Sequence, residues 1–183
     1  MMRGVFRNRD GAAAAEMALV TPLLVLLLAG GVETGYYFYT QNRLVESVRD
    51  AARFASRQDF AAFSPCPTSG STTLASTNNL HLQARQLARK GTIDLTETGE
   101  AGDRIWGWAE DGETFTVSYT CATSVDDGAG GNVVMGGIYT SQVSGAPVVT
   151  VAASLPHQPV FAFAGFTPGL RINASQQSAV AGI

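Results

Sequence analysis

The first 39 residues constrain the fold of this chain most strongly, because a short basic segment is followed there by a long apolar run. Residues 1–11 hold three arginines, and the next cationic residue is Arg43. As a helix, residues 12–39 would extend about 42 Å, whereas the hydrocarbon core of a bilayer is about 30 Å thick. We therefore predict a transmembrane helix at residues 12–39, preceded by a basic leader at residues 1–11.

The distribution of positive charge predicts how this helix is oriented. Cationic residues flank a membrane span preferentially on its cytoplasmic side. The leader should therefore lie in the cytoplasm and the rest of the chain outside it. Four aromatic residues at the outer end of the span, 36–39, would then form an aromatic belt at the membrane surface.

Glu16 is the unexpected residue in the apolar run. A carboxylate within hydrocarbon costs about 2 to 3 kcal/mol, whereas each buried Leu or Val contributes about 0.3 to 0.6 kcal/mol. The favourable side chains are Leu19, Val20, Leu23, Leu24, Val25, Leu26, Leu27, Leu28 and Val32. Because they sum to about 3 to 5 kcal/mol, the segment should insert despite Glu16. A second acidic residue, Glu33, lies near the outer end, where either snorkelling or a subunit contact would explain it.

The residues around Glu16 resemble a type IV prepilin processing site. The basic leader ends at Gly11, four alanines follow, and Glu16 is the fifth residue of the apolar helix. The segments that extend the resemblance are GAAAAEMALVTPLL from Gly11, GVETG from Gly31 and AARFA from Ala51. Together they are similar to the TadE-like family, the pseudopilin-like proteins of the tight adherence (Flp) pilus machinery.

This resemblance implies a function and a set of partners. The chain would be a minor pilin or pseudopilin-like component of Tad (Flp) type IV pilus assembly, involved in pilus biogenesis and adhesion. A prepilin peptidase would cleave between Gly11 and Ala12, and the helix would pack against other pilin and pseudopilin subunits. The protein would span the bacterial inner membrane once, with a periplasmic C-terminal domain, and would also associate with the pilus at the cell surface.

Two other functions fit the same N-terminal pattern. A retained single-pass protein would keep its leader and bind an envelope ligand or partner, with Glu16 simply lying at the cytoplasmic interface. A secreted protein would use residues 17–28 as a signal-peptide core and residues 29–31 as the cleavage site. Glu16 at the head of the apolar run counts against the secreted form.

Beyond the span, the pattern predicts that the helix continues outside the membrane through residues 40–60, ending near Arg57. The predicted buried side chains recur at three- and four-residue spacing: Leu44, Val48, Ala51, Ala52 and Ala55. Alanines on this stripe would allow a sheet to approach closely. Pro22 removes one backbone hydrogen bond and should kink the helix within its first third.

Residues 61–183 should form one small extracytoplasmic domain, which makes the predicted fold α+β and pilin-like, with an antiparallel sheet and a second short helix. Asn78 or Asn79 can cap that helix and Gly91 can end it. Alternating or β-branched patterns predict strands at residues 114–120, 148–153 and 170–174, with a short edge strand at residues 133–135.

Composition, cysteine content and the histidine positions limit which ligands and chemistry the chain can be expected to have. The net charge is −3 and only 15% of residues are charged, so nucleic acid is not an expected partner. Cys66 and Cys121 would face an oxidising compartment and should form a disulfide; two free thiols are the alternative. His81 and His157 lack a partner at metal-ligand spacing, and we found no nucleophile motif. Neither a metal, a cofactor nor catalysis is expected.

Overall fold

The computed structural model of the chain describes residues 9–105, 108, 112–126, 128–140, 142, 145–161 and 169–182. Most of the predicted leader, residues 1–8, lies outside the described residues. Its last three residues belong to helix α1, Arg9–Ser56. The helix ends one residue before Arg57, close to its predicted end.

The second half of α1 forms one wall of the hydrophobic core. The predicted stripe is confirmed, because all five of its side chains are fully buried: Leu44, Val48, Ala51, Ala52 and Ala55. This part of the helix packs against the sheet and against the second helix. Three of the five side chains are alanines, which hold the sheet closer to the helix than larger residues would.

The sheet has four antiparallel strands in the order β1-β2-β5-β6. Its strands are β1 (Thr72–Thr73), β2 (Thr114–Ala122), β5 (Ala146–Pro156) and β6 (Arg171–Ala179). Along β5, buried side chains alternate with less buried ones, and Val117 of β2 pairs with Val151 of β5 at the centre of the sheet. One face of the sheet therefore covers α1, as the period of two in the sequence predicts.

Helix α2, Asn79–Lys90, begins and ends at the predicted caps. The Asn78 side chain accepts a hydrogen bond from the Leu80 amide, and Gly91 adopts the left-handed conformation at φ 82°. Both are standard ways of satisfying backbone groups at helix ends. The expected α+β architecture, with a long N-terminal helix, a second short helix and an antiparallel sheet, is confirmed.

Several short elements differ from the sequence-based prediction. The pair Thr72–Thr73 (β1) and the 3₁₀ helices Phe60–Phe63 and Gly137–Tyr139 were not predicted. The expected edge strand at residues 133–135 is found as β4, Asn132–Val134, but it pairs with β3, Ser124–Asp126, in a separate two-stranded sheet. Elements of two to four residues are too short to show a period.

The two cysteines form a disulfide between residues 55 positions apart. Cys121 belongs to β2, and Cys66 belongs to the loop that follows the first 3₁₀ helix. The bond therefore ties that loop to the C-terminal end of β2, and the predicted disulfide is confirmed.

Candidate functional site

Two regions of α1 carry the candidate functional residues, and the first is its N-terminal part. Every side chain from residue 11 to residue 28 is exposed, and we refer to residues 11–28 as the exposed half. Its large apolar side chains are Met17, Leu19, Val20, Leu23, Leu24, Val25, Leu26, Leu27 and Leu28. At about 1.5 Å per residue the exposed half is about 27 Å long, close to the thickness of the hydrocarbon core.

Gly11, Ala12 and Glu16 lie together at the start of the exposed half. Ala12 and Glu16 are four residues apart and hence lie on the same face of the helix. A Cβ atom added to Gly11 would meet no atom within 4 Å among the described residues. Packing within this part of the chain therefore gives no reason for a glycine at position 11.

The helix continues through Pro22. Thr21 donates a side-chain hydrogen bond to the Met17 carbonyl at 2.7 Å, one helical turn earlier. This bond gives the Thr21 hydroxyl a partner within the helix, whereas the carbonyl that loses its backbone donor to Pro22 is that of Ala18. The kink at Pro22 stays a prediction.

The second region centres on Glu33, whose carboxylate is buried within the chain. Glu33 is only 1% exposed. Oε1 lies 3.0 Å from Nε2 of His157, and Oε2 accepts hydrogen bonds from the amides of Val160 at 2.9 Å and Phe161 at 3.1 Å. We use the name Glu33 junction for Glu33 together with Tyr36, Tyr37, His157, Val160 and Phe161.

Helical spacing explains why the His157 ring fits beside Glu33. Tyr36 and Tyr37 follow Glu33 by three and four residues and therefore share its face of α1. The His157 ring lies edge-on to Tyr37, with ring centroids 5.3 Å apart, and is tilted against Tyr36 at 5.9 Å. The two tyrosines and Glu33 thus form the wall that holds the imidazole.

The end of strand β5 positions His157 beside Glu33 and the two tyrosines. The strand ends at Pro156, and the His157 amide then donates a hydrogen bond to the Leu170 carbonyl at 2.8 Å, one residue before β6. This hydrogen bond joins the residue that follows β5 to the residue that precedes β6. Glu33 holds the backbone of residues 160 and 161 against α1.

The tautomer of His157 follows from its contact with Glu33. An ionised carboxylate can only accept hydrogen bonds, so Nε2 carries the hydrogen in the contact with Glu33. Nδ1 is buried and has no hydrogen-bond partner among the described residues. A cavity of about 170 Å³ adjoins the ring and is lined by Glu33, Thr34, Tyr37, His157 and Leu170.

The Glu33 junction changes the interpretation of two residues from the sequence. For Glu33, snorkelling and subunit contact were the alternatives, and the structure adds contacts of its carboxylate with three residues of its own chain. A role of Glu33 in subunit contact stays a prediction. For His157, no partner was expected because Glu33 is 124 positions away. The available signal was an acid in an apolar helix, which demands hydrogen-bond donors but does not identify them.

His81 is the other buried histidine, and it lies in the core, away from the Glu33 junction. Its ring is edge-on to Phe115 at 5.5 Å. Burial, and secondarily the nearby Arg85 guanidinium, lowers the pKa of His81 below its ordinary value. His81 is therefore a neutral core residue at pH 7.

The comparison with protein families identifies the N-terminal part of the chain. Residues 11–53 match the family model of the TadE-like proteins. The resemblance seen in the sequence is thereby confirmed for the segment that contains the exposed half, Glu33 and most of the buried stripe. Comparisons with curated proteins and with solved structures give no match. The TadE-like match indicates involvement in the Tad pilus system.

Proposed function

We propose that this chain is a minor pilin or pseudopilin-like component of Tad (Flp) type IV pilus assembly, cleaved by a prepilin peptidase between Gly11 and Ala12. The observation that carries the proposal is the exposed half of α1. It is a continuous apolar helix that the chain's own domain leaves uncovered along residues 11–28.

Exposed apolar side chains on this scale require a covering. Burying apolar surface is favourable by about 25 cal/mol per Å², so a bare helix of Leu and Val side chains is unstable in water. Lipid can cover it while the subunit waits in the inner membrane, and helices of other pilin subunits can cover it after assembly. The same surface serves both states, because both surroundings are apolar.

Glu16 gives the assembled state a preferred register. Cleavage after Gly11 would leave a new ammonium group on Ala12, one helical turn from Glu16 of the same chain. The same ammonium could pair with Glu16 of an adjacent subunit. An unpaired charge in a low dielectric is costly, so subunit arrangements that pair the two groups are favoured.

Gly11 supports the proposed cleavage. Glycine within a helix costs up to about 1 kcal/mol relative to alanine, and no packing contact among the described residues calls for it. A requirement of the peptidase for a residue without a side chain at this position accounts for the glycine.

The proposed role is structural and not enzymatic. TadE-like pilus proteins are structural components, and the domain at residues 61–183 would contribute to pilus biogenesis and adhesion through contacts with other subunits or with surfaces. The positive charge of the leader supports a periplasmic position for this domain.

The experiment that tests this function is the identification of the mature N-terminal residue in protein purified from native membranes. Ala12 supports prepilin processing. Met1 would overturn it in favour of a retained membrane protein with an envelope-facing binding domain. Val32 would instead show a secreted protein; the helical conformation of residues 29–31 counts against that cleavage.

The role of Glu16 is tested by comparing Glu16→Ala with Glu46→Ala. Glu46 is an exposed residue that pairs with Arg43 at 3.6 Å on the outer part of α1. We expect Glu16→Ala to favour membrane insertion by about 2 to 3 kcal/mol but to reduce recovery of the chain in pilus complexes. Glu46→Ala should change neither. Equal recovery of the two variants would remove the pairing argument.

A further inference from the structure

We propose that strand β6 and the adjoining part of α1 form a binding surface for an extended polypeptide segment that carries a carboxylate. The segment would add to the sheet as a further strand along β6, and its carboxylate would pair with Arg49 and Arg53. This inference goes beyond the proposed function, because it depends neither on cleavage at Gly11 nor on membrane insertion of α1.

Strand β6 forms one edge of the four-stranded sheet, because β5 is its strand neighbour among the described residues. Its backbone hydrogen bonds show which groups face that edge. The Val180 amide donates to the Pro147 carbonyl at 3.0 Å, and the His157 amide donates to the Leu170 carbonyl at 2.8 Å. Both bonds continue the β5–β6 register. Since bonded pairs alternate in an antiparallel ladder, even-numbered residues of β6 bond to β5 and odd-numbered residues direct their backbone groups outward.

Helix α1 contacts this outward edge near both of its ends. The Gln41 side chain donates to the Asn173 carbonyl at 2.7 Å. The Ala181 amide, just beyond β6, donates to the Ser56 carbonyl at 2.7 Å. The helix therefore runs alongside β6 and leaves the outward backbone of residues 174–178 between the two contacts.

The outward backbone groups of Ser175 and Gln177 lie in this middle part of the edge. Neither amide has an acceptor among the described residues, and the Gln177 carbonyl accepts only from the flexible side chain of Gln176 at 3.0 Å. Residues 172–179 contain no proline, lysine or glycine, and their pairing with β5 has no bulge. Natural proteins usually protect an edge strand by such devices. An edge without them is suited to the addition of an extended peptide.

The charge beside this edge indicates what kind of segment would bind. A groove of about 240 Å³ lies between α1 and β6, and its lining residues are Arg49, Ala52, Arg53, Gln176, Gln177 and Ser178. Arg49 and Arg53 are both exposed, and their spacing of four residues places them on one face of α1. No carboxylate among the described residues pairs with either guanidinium, since Glu46 and Asp50, one turn before them, form ion pairs with other arginines.

An acidic polypeptide segment is the occupant that these features favour. Guanidinium groups bind carboxylates through paired hydrogen bonds, and the backbone edge of β6 binds an extended chain. Headgroups of the membrane that holds α1 are too distant. Arg49 follows Leu28, the end of the exposed half, by about 31 Å along the helix, whereas the interfacial layer is only about 5 to 8 Å thick.

The test measures binding of a labelled, capped peptide, Thr-Val-Thr-Glu-Thr-Val-Thr, to the full chain in detergent micelles by fluorescence anisotropy. Hydrogen exchange at the Ser175 and Gln177 amides, followed by NMR, reports whether the backbone of β6 takes part. Two matched peptides serve as controls. One has glutamine in place of glutamate, and the other has methylated backbone nitrogens, so that it keeps its charge but cannot donate hydrogen bonds to a strand edge.

Three variants of the chain separate the contributions of charge and backbone. The first combines Arg49→Gln with Arg53→Gln. Its matched control combines Arg43→Gln with Arg57→Gln, which removes two exposed arginines outside the groove lining. The third variant, Gln177→Pro, removes one outward backbone donor at an edge position, where sheets tolerate proline.

We expect the glutamate peptide to bind and to slow hydrogen exchange at both amides. Binding should be about tenfold weaker for the glutamine peptide and for the variant without Arg49 and Arg53, because charge-assisted hydrogen bonds are lost. The control variant should bind as the unsubstituted chain does. The methylated peptide should bind more weakly without slowing exchange, and Gln177→Pro should also weaken binding of the glutamate peptide.

Several results would overturn the inference. One is no binding of the glutamate peptide at about 1 mM, and another is equal binding by the double-arginine variant and its control. If inorganic phosphate displaces the peptide and exchange at Ser175 and Gln177 never changes, the arginines hold an anion without strand addition, and the inference is wrong as well. None of these results alters the mature N-terminal residue, so the proposed function is tested separately.

Discussion

Both halves of α1 carry apolar side chains, yet those of one half are exposed and the apolar stripe of the other is fully buried. In the exposed half, Leu and Val occur on every face of the helix, so no single partner surface could cover them. In the second half, Leu44, Val48 and three alanines occupy one stripe, while charged residues take the other faces. Hydrophobicity alone therefore does not decide burial. The angular distribution and the size of the side chains decide it.

Glu33 lies between these two halves and belongs to neither type of surface. The buried face of α1 begins at Ala29 and continues through Glu33 and Thr40 to Leu44. Before this stretch the helix is apolar on every face. After it, only one face of the helix contacts the domain. The carboxylate is tolerated there because His157, Val160 and Phe161 supply three hydrogen-bond donors.

Removing the disulfide should have the largest effect, and it should be confined to the domain. In the chain-entropy model, a loop of this length contributes about 4 kcal/mol to stability. We expect the Cys66→Ala, Cys121→Ala double variant to lose about that much in denaturant unfolding of the detergent-solubilised protein. Membrane insertion of the exposed half should be unchanged, as measured by resistance to alkaline extraction. Loss of insertion would show that the two halves are not independent.

Truncating one leucine in each half compares the halves directly. Leu44 is fully buried, whereas Leu24 is 53% exposed. Leu44→Ala should destabilise the domain by about 3 kcal/mol, since buried Leu→Ala changes cost about 2 to 5 kcal/mol. Leu24→Ala should leave unfolding of the domain unchanged and weaken insertion only by about 0.5 kcal/mol. Equal losses of unfolding free energy would contradict the division of α1.

Truncating Glu33 should weaken the contact between α1 and the backbone of residues 160 and 161 without unfolding the helix or the domain. Glu33→Ala removes the acceptor for two backbone amides, and an unsatisfied buried donor costs about 1 to 3 kcal/mol. A loss of about 2 kcal/mol corresponds to roughly 30-fold faster hydrogen exchange at the Val160 amide. Glu33→Gln is the matched control, because its amide oxygen can still accept both bonds, and it should show a smaller increase. Unchanged hydrogen exchange at the Val160 amide in Glu33→Ala would show that the carboxylate does not hold this backbone segment against α1.

Acidification should have the smallest effect, again in the domain only. The lowered pKa of His81 means that the unfolded chain binds this proton more readily than the folded chain. The contribution of His81 to stability is therefore fully present above about pH 6.5 and declines as the pH falls below that value. His81→Gln should reduce the loss of unfolding free energy between pH 7 and pH 5 relative to the unsubstituted chain. An identical pH dependence would show that His81 is not the responsible group.

Local patterns made much of the fold predictable. The stripe from Leu44 to Ala55 follows the helical period, and the caps Asn78 and Gly91 act through their nearest neighbours in the chain. The main strands also matched their predicted positions, although β5 and β6 extend several residues further. These features depend on residues within a few positions of one another, which a single sequence displays directly.

The Glu33 junction was not predictable in the same way. The sequence shows that an acid in an apolar helix needs donors, but many residues could supply them. The choice of His157 depends on where β5 ends and on its place between β2 and β6 in the sheet. The pairing of β3 with β4 was missed for a related reason, since three-residue strands have no readable period.

The central claim is that the exposed half of α1, and not the domain, makes the helix contacts that assemble this chain with pilins. The most direct test places the photo-crosslinking residue p-benzoylphenylalanine at Leu24 or at Leu82, an exposed position on α2, in cells that make the pilus. We predict crosslinked products with pilin or pseudopilin subunits from position 24 and not from position 82. Products from position 82 alone would contradict the claim.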